Sequence, residues 1–99
     1  MKKLSADFAI AVHPGDILSE MIEENGLSQA GLARHLKMDP SKINEICKGR
    51  RGISAEMAVM LGKAFQISAG MWMNLQKNWE LSQVDESVGE DVDVIKLRA

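Results

Sequence analysis

The spacing of apolar residues is the feature that most constrains the fold, because they recur at helical intervals from Pro14 to about Val84. Turn signals interrupt this pattern roughly every ten to fifteen residues, and no segment within it alternates like a half-buried strand. A chain of 99 residues is long enough for one modest core. We therefore predict an all-α fold, a compact five-helix bundle made by a single domain.

Residues that favour helix termini mark where each helix begins and ends. The first helix is predicted to open at "HPGD" with Pro14 at its first helical position, and the third has Pro40 in the same place. Gly26 and Gly49 are predicted to stop these two helices. The predicted N-caps of the second, third and fifth helices are Ser28, Asp39 and Ser68, and the fourth helix is predicted to begin at Ser54.

Two end segments fall outside the helical pattern. Residues 1–12 are predicted to be an N-terminal arm, and residues 13–84 form the helical domain. Residues 85–99 are acidic first and then loosely alternate apolar side chains, which permits either a mobile tail or a short added strand. We favour the mobile tail.

Composition argues against an enzyme or a metalloprotein. The single cysteine, Cys47, excludes an internal disulfide and a zinc site of clustered cysteines. His13 and His35 lie far apart and belong to no metal-binding or catalytic motif, so we expect no catalytic residue, metal or cofactor. No apolar run is long enough for a signal peptide or a membrane span, and we expect a cytoplasmic protein.

The second and third predicted helices, joined by a tight turn, have the form of a helix-turn-helix. Between Leu27 and Gly52 the chain carries six basic residues against two acidic ones, a local net charge of +4 in a chain of net charge -2. The basic residues are Arg34, Lys37, Lys42, Lys48, Arg50 and Arg51. Positive charge is thus concentrated on the unit that would contact DNA, which predicts binding to double-stranded DNA.

Each position in this unit has a predicted role. Ile43 and Ile46 are expected to face the core, which leaves the outward positions near the start of the third helix to face base edges. These base-reading candidates are Pro40, Ser41, Asn44 and Glu45. The phosphate-binding candidates, which combine a helix N-terminus with basic side chains, are Ser28, Gln29, Lys42, Lys48, Arg50 and Arg51.

Glu45 is unusual among these residues because a carboxylate facing phosphates is unfavourable unless it accepts a hydrogen bond from a base. The cytosine N4 amine is its natural partner in the major groove. We therefore predict a cytosine within reach of Glu45 in each half-site.

The segment "SQAGLARHLKMDPSKINEICKGRRGISAEMAVMLGKAF" resembles the helix-turn-helix of phage-repressor-like (XRE/Cro) regulators. The flanks "HPGDIL" and "WMNLQKNWEL" are similar to those of HigA-type (VapI-like) antitoxins. The resemblance implies a homodimer that binds an inverted repeat in the promoter of its own operon and neutralises a HigB-type mRNA endonuclease. It also implies phosphate contacts from Ser28, Gln29, Lys42, Lys48 and Arg50 and base contacts from Pro40, Ser41 and Glu45.

The chain departs from this family at two helix starts. Gly31 stands where family members often have a capping glutamate, and "SAGMW" replaces "SPEFW" at the start of the fifth helix. Both helix starts should be weaker by about 0.5–1 kcal/mol.

Dimerisation is expected through the fourth and fifth helices because their apolar residues exceed what one small core needs. The predicted interface residues are Met57, Met60, Met71, Trp72 and Met73. Two alternatives remain open: a stand-alone XRE-family transcriptional regulator without a toxin partner, and a protein-binding module that uses the same scaffold without DNA.

Overall fold

The computed structural model describes residues 11–98, and within this range it contains five α-helices and no strand. The helices are α1 (Pro14–Glu24), α2 (Gln29–Leu36), α3 (Pro40–Cys47), α4 (Ala55–Phe65) and α5 (Ala69–Ser82). The predicted all-α architecture is confirmed. Apart from Ala11 and Val12, the predicted N-terminal arm lies outside the described residues.

The helices begin at the positions predicted from their capping residues. Ser28, Ser54 and Ser68 each accept a hydrogen bond through Oγ from the backbone N–H three residues later, at 2.9–3.1 Å. Gly31 in α2 and the "SAGMW" start of α5, where the chain departs from the family, therefore leave each of these helices with a one-sided cap rather than a capping box. The cap of α1 was not predicted: His13 Nδ1 accepts from the N–H of Gly15 at 2.8 Å.

Left-handed residues end several of the helices. Gly26 and Gly49, which were predicted to stop α1 and α3, adopt φ values of 67° and 77°. Lys37 and Gln66 occupy the same region with φ of 57° and 59°, although neither is a glycine. A side chain in this conformation is strained by contact between its Cβ and the following carbonyl.

The core is formed by side chains from all five helices, of which Leu18, Ile43, Ile46, Leu61 and Trp72 are among the most buried. Helix α1 packs on α3 and α5, α2 packs on α3, and α4 packs on α5. This arrangement holds α3 against the core from two sides. No helix in the described part of the chain is both long and apolar enough to span a membrane.

Two of the predicted interface residues belong instead to the core. Trp72 has no exposed surface and Met57 retains only 4% of its own, so neither can line a contact between copies of the folded chain. The prediction was wrong for these two because apolar residues were counted without knowing how much volume the core takes up. Met60, Met71 and Met73 are half-buried at the edge of the core.

Residues 85–98 form turns followed by an exposed segment without helix or strand, so the alternative of a short added strand is not realised here. Asp85 Oδ1 accepts hydrogen bonds from the N–H and the hydroxyl of Ser87, which lower the pKa of Asp85. Mobility of the tail stays a prediction.

Candidate nucleic-acid interface

A three-residue turn joins α2 to α3 and sets the angle between them. Lys37 adopts the left-handed conformation, and the N–H of Met38 donates to the carbonyl of Ala33 at 2.9 Å. Asp39 then caps α3, accepting from the N–H of Ser41 at 2.9 Å, and this backbone hydrogen bond lowers the pKa of Asp39. The turn is therefore the helix-turn-helix connection that the sequence predicted.

Helix α3 turns one face to the core and the other outward. Ile43 and Ile46 are buried as predicted. Pro40 and Ser41 are exposed, while Asn44 and Glu45 are half-buried. Residues three and four positions apart share a helix face, so the four base-reading candidates form one outward surface at the start of α3.

A hydrogen bond joins this surface to the start of α2. Asn44 Nδ2 donates to Gln29 Oε1 at 3.0 Å across a half-buried contact. Gln29 was predicted to bind phosphate and Asn44 to contact a base, but the contact between them was not predicted. With its Oε1 accepting from Asn44, the Gln29 side-chain amide keeps its Nε2 as a donor at the helix N-terminus.

A second pair connects α3 to the loop that follows it. Arg51 donates from Nε and Nη2 to the same oxygen, Glu45 Oε1, at 3.1 and 3.0 Å. The backbone reinforces this contact, because the N–H groups of Arg50 and Arg51 both donate to the carbonyl of Glu45, at 2.9 and 3.2 Å. Glu45, a predicted base-reading residue, is thus paired with Arg51, a predicted phosphate-binding residue.

Gln76 on α5 holds the far end of this loop, a role that the sequence analysis missed. The side chain is 6% exposed; its Oε1 accepts from the N–H of Ile53 at 2.7 Å, and its Nε2 donates to Glu80 Oε2 at 2.7 Å. A Cβ added to Gly52 would lie only 2.6 Å from the Gln76 amide nitrogen. The available signal was a polar residue beside Trp72 and Leu75 on an apolar helix face.

His13 was also missed, because it was interpreted as an ordinary polar residue. Its ring is buried and packs edge-on against Trp79, with the ring centroids 4.7 Å apart. Burial lowers the pKa of His13, and nearby Asp16 partly opposes this shift. At Gly15, an added Cβ would overlap the backbone carbonyl of Ile46, so the start of α1 lies directly against the end of α3.

Exposed positive charge surrounds the outward face of α3. The exposed basic residues of this region are Arg34, Lys37, Lys42, Lys48, Arg50 and Arg51. Ser28 is exposed at the start of α2, where backbone N–H groups favour anions. Such an arrangement suits a polyanion whose phosphates flank the surface that α3 presents.

Comparisons with known proteins agree with this geometry. A family model described as "Helix-turn-helix" matches residues 18–72. Virulence-associated protein I of Dichelobacter nodosus is 40% identical over 77 residues, which cover 77% of this chain and 71% of that protein.

Two solved structures from Pseudomonas aeruginosa are similar over most of the fold. The antitoxin HigA with the higBA promoter is 42% identical, with a TM-score of 0.76 over 84% of this chain and 91% of the other. PA4674 in complex with its operator DNA is 38% identical, with a TM-score of 0.79 over 85% of this chain and 96% of the other. The chain belongs to the XRE-type helix-turn-helix family, and its structural neighbours are HigA-type antitoxins.

Proposed function

We propose that this protein is a cytoplasmic antitoxin that binds an inverted repeat in its own promoter as a homodimer and neutralises a HigB-type mRNA endonuclease. The observation that carries the proposal is the outward face of α3, which starts with exposed Pro40 and Ser41 and is bordered by exposed Lys42, Lys48 and Arg50. The similarity to proteins solved with operator or promoter DNA supports the DNA-binding part.

The chemistry of each side chain on this surface assigns it to phosphates or to base edges. Lys42, Lys48 and Arg50 bind phosphates through charge, and Ser28 and Gln29 bind them at the start of α2. Pro40, Ser41 and Asn44 face base edges. Because Asn44 donates a hydrogen bond to Gln29, a phosphate bound at the start of α2 would help to fix the side chain that faces the bases on α3.

Dimerisation supplies the specificity that one short helix lacks, because α3 covers only a few base pairs and two half-sites one helical turn apart multiply the discrimination. The proposed interface retains Met60, Met71 and Met73. A mostly apolar patch on α4, formed by Ala55, Glu56, Val59 and Met60, supports this location, since Val59 is 47% exposed. Light scattering at micromolar concentration should give twice the monomer mass, and Val59→Lys should reduce that mass.

Titration of a labelled promoter fragment with the purified protein tests DNA binding. We expect affinity that falls steeply with salt concentration. Lys42→Ala should weaken binding to every sequence about equally and reduce the salt slope by about one. Lys63→Ala is the matched control because Lys63 is an exposed lysine on α4, outside the proposed surface. Equal losses from both variants would contradict the assignment.

Toxin neutralisation needs a separate test. Co-expression with the product of the neighbouring gene should restore growth and allow the two proteins to be purified together. DNA binding without rescue would instead indicate a stand-alone transcriptional regulator. Rescue without DNA binding would indicate a protein-binding module on the same scaffold.

A further inference from the structure

The ion pair between Glu45 and Arg51 occupies the surface that the proposed function turns toward DNA. Glu45 lies on the outward face of α3, one turn after Ser41, and Arg51 folds back onto it from the following loop. Both side chains remain about half exposed, at 45% and 49%. The pair is therefore accessible to a ligand that approaches α3.

Stability does not account for a carboxylate at this position. A solvent-exposed ion pair contributes little to folding, because water and salt screen it and two side chains must be ordered. Glu45 also reduces the positive charge of the surface and repels phosphates. Glu45 can instead act on the group that it contacts, the Arg51 guanidinium.

The contact fixes the orientation of the Arg51 guanidinium. Nε–H and one Nη2 hydrogen are directed to Glu45 Oε1, and the backbone bonds from Arg50 and Arg51 to the Glu45 carbonyl hold the start of the side chain. A guanidinium has five donors in a planar fork. The edge formed by Nη1 and the second Nη2 hydrogen remains for a ligand.

That free edge has the geometry for two parallel hydrogen bonds to guanine. In the major groove guanine presents O6 and N7 as neighbouring acceptors, and a bidentate arginine is their commonest partner. A phosphate could also accept from this edge, but it would not need a pre-oriented fork. Arg50 is exposed and makes no ion pair with Glu45, so its guanidinium can bind a phosphate.

We propose that Arg51, oriented by Glu45, reads a guanine in each half-site, and that Glu45 acts as a positioning residue without reading a cytosine itself. The inference rests on the proposed DNA binding. This proposal replaces the hypothesis that Glu45 contacts a cytosine. Both hypotheses predict a G·C pair at this position, so the test must modify the guanine and the cytosine of the pair separately.

The experiment uses the full-length protein and a duplex trimmed to the footprint in its own promoter, with affinities measured by fluorescence anisotropy at one salt concentration. Each guanine is replaced singly by 7-deazaguanine, which lacks N7, and each cytosine by N4-methylcytosine. One 7-deazaguanine per half-site should weaken wild-type binding by about fivefold or more, since a bidentate pair discriminates by roughly 5- to 150-fold.

The variants separate the roles of the two residues. Arg51→Ala should bind the normal and the 7-deaza duplex equally, and Arg51→Lys should keep the charge but lose most of the discrimination. Glu45→Gln should reduce the discrimination several-fold without weakening binding to unrelated DNA, because it removes a negative charge. Arg50→Ala, the matched control, should weaken binding but keep the 7-deaza penalty. Melting curves of all variants establish that they fold.

Three outcomes overturn the proposal. An N4-methylcytosine penalty that Glu45→Gln abolishes, without any 7-deaza effect, would assign base reading to Glu45. Uniform weakening by Arg51→Ala with an unchanged 7-deaza penalty would assign Arg51 to phosphate. An unchanged penalty in Glu45→Gln would deny Glu45 its positioning role. Absence of salt-sensitive binding by the wild type is a different result, which refutes the proposed function itself.

Discussion

Replacing Gln76 with methionine tests whether α5 holds the loop that follows the recognition helix. Gln76 and Ile53 are both buried, and the Gln76 oxygen accepts the Ile53 N–H at 2.7 Å. Methionine has nearly the same length and volume, so Gln76→Met removes the hydrogen bond with little change in packing. The Ile53 N–H is then left without a partner in a buried position.

The expected loss follows from that orphaned donor. An unsatisfied buried backbone group costs about 1–3 kcal/mol, which lowers the melting temperature by roughly 4–8 °C per kcal/mol in a domain of this size. Urea denaturation gives the free energy of unfolding directly. Gln83→Met is the control, because Gln83 is an exposed glutamine just beyond α5 and its replacement should change stability by less than about 0.5 kcal/mol.

A double-mutant cycle with Gly52 sharpens the test. An alanine Cβ at position 52 would lie 2.6–2.9 Å from the Gln76 amide atoms, so the amide can move aside only by giving up its bond to Ile53. Gly52→Ala should therefore cost about as much as the lost hydrogen bond in the wild type and much less in a Gln76→Ala background. Additive effects, or a stable Gln76→Met, would refute this account of the loop.

Three further predictions concern residues outside the DNA surface. Gly15→Ala should lower the free energy of unfolding in urea by about 1–3 kcal/mol because the added Cβ would overlap the carbonyl of Ile46. Gly70→Ala, whose Cβ would meet only the Ser68 hydroxyl at 3.8 Å, should instead raise it by about 0.5–1 kcal/mol. Gln66→Gly should raise stability by about 0.5–1 kcal/mol by relieving the left-handed strain at φ 59°, and a lower melting temperature would contradict this reasoning. Burial lowers the pKa of His13, so the stability that neutral His13 contributes to the fold should be fully present above pH 6.5 and decline as pH falls through the lowered pKa. The melting temperature should therefore be lower at pH 5.5 than at pH 7.5, and His13→Asn should reduce this difference.

The helices could be predicted from sequence because their signals are local. Ser28, Asp39 and Ser68 are good N-caps whose side chains reach their own helix, and each begins a helix in the structure. The buried face of α3 was also predictable, since Ile43 and Ile46 are three residues apart. Such patterns depend only on residues within one turn of each other.

The contacts that shape the candidate site were not predictable in the same way. The bond between Gln29 and Asn44 joins residues 15 positions apart, and the bond between Ile53 and Gln76 joins residues 23 positions apart. Periodicity shows which face of a helix is polar or apolar, but it does not identify the partner on another element. For the same reason Glu45 and Arg51 were predicted to have separate roles, although their side chains are paired in the structure.

These long-range contacts have a common consequence for DNA binding. Helix α3 and its following loop are fixed from outside at the start of α1, where Gly15 lies against the Ile46 carbonyl, at Gln29 of α2, and at Gln76 of α5. Replacing Gly15 or Gln76 should tilt or loosen the whole recognition unit and weaken binding to every sequence alike. Replacing Arg51 should instead change which sequence is preferred. A comparison of the two kinds of variant on matched and altered operators therefore distinguishes residues that position α3 from residues that read DNA.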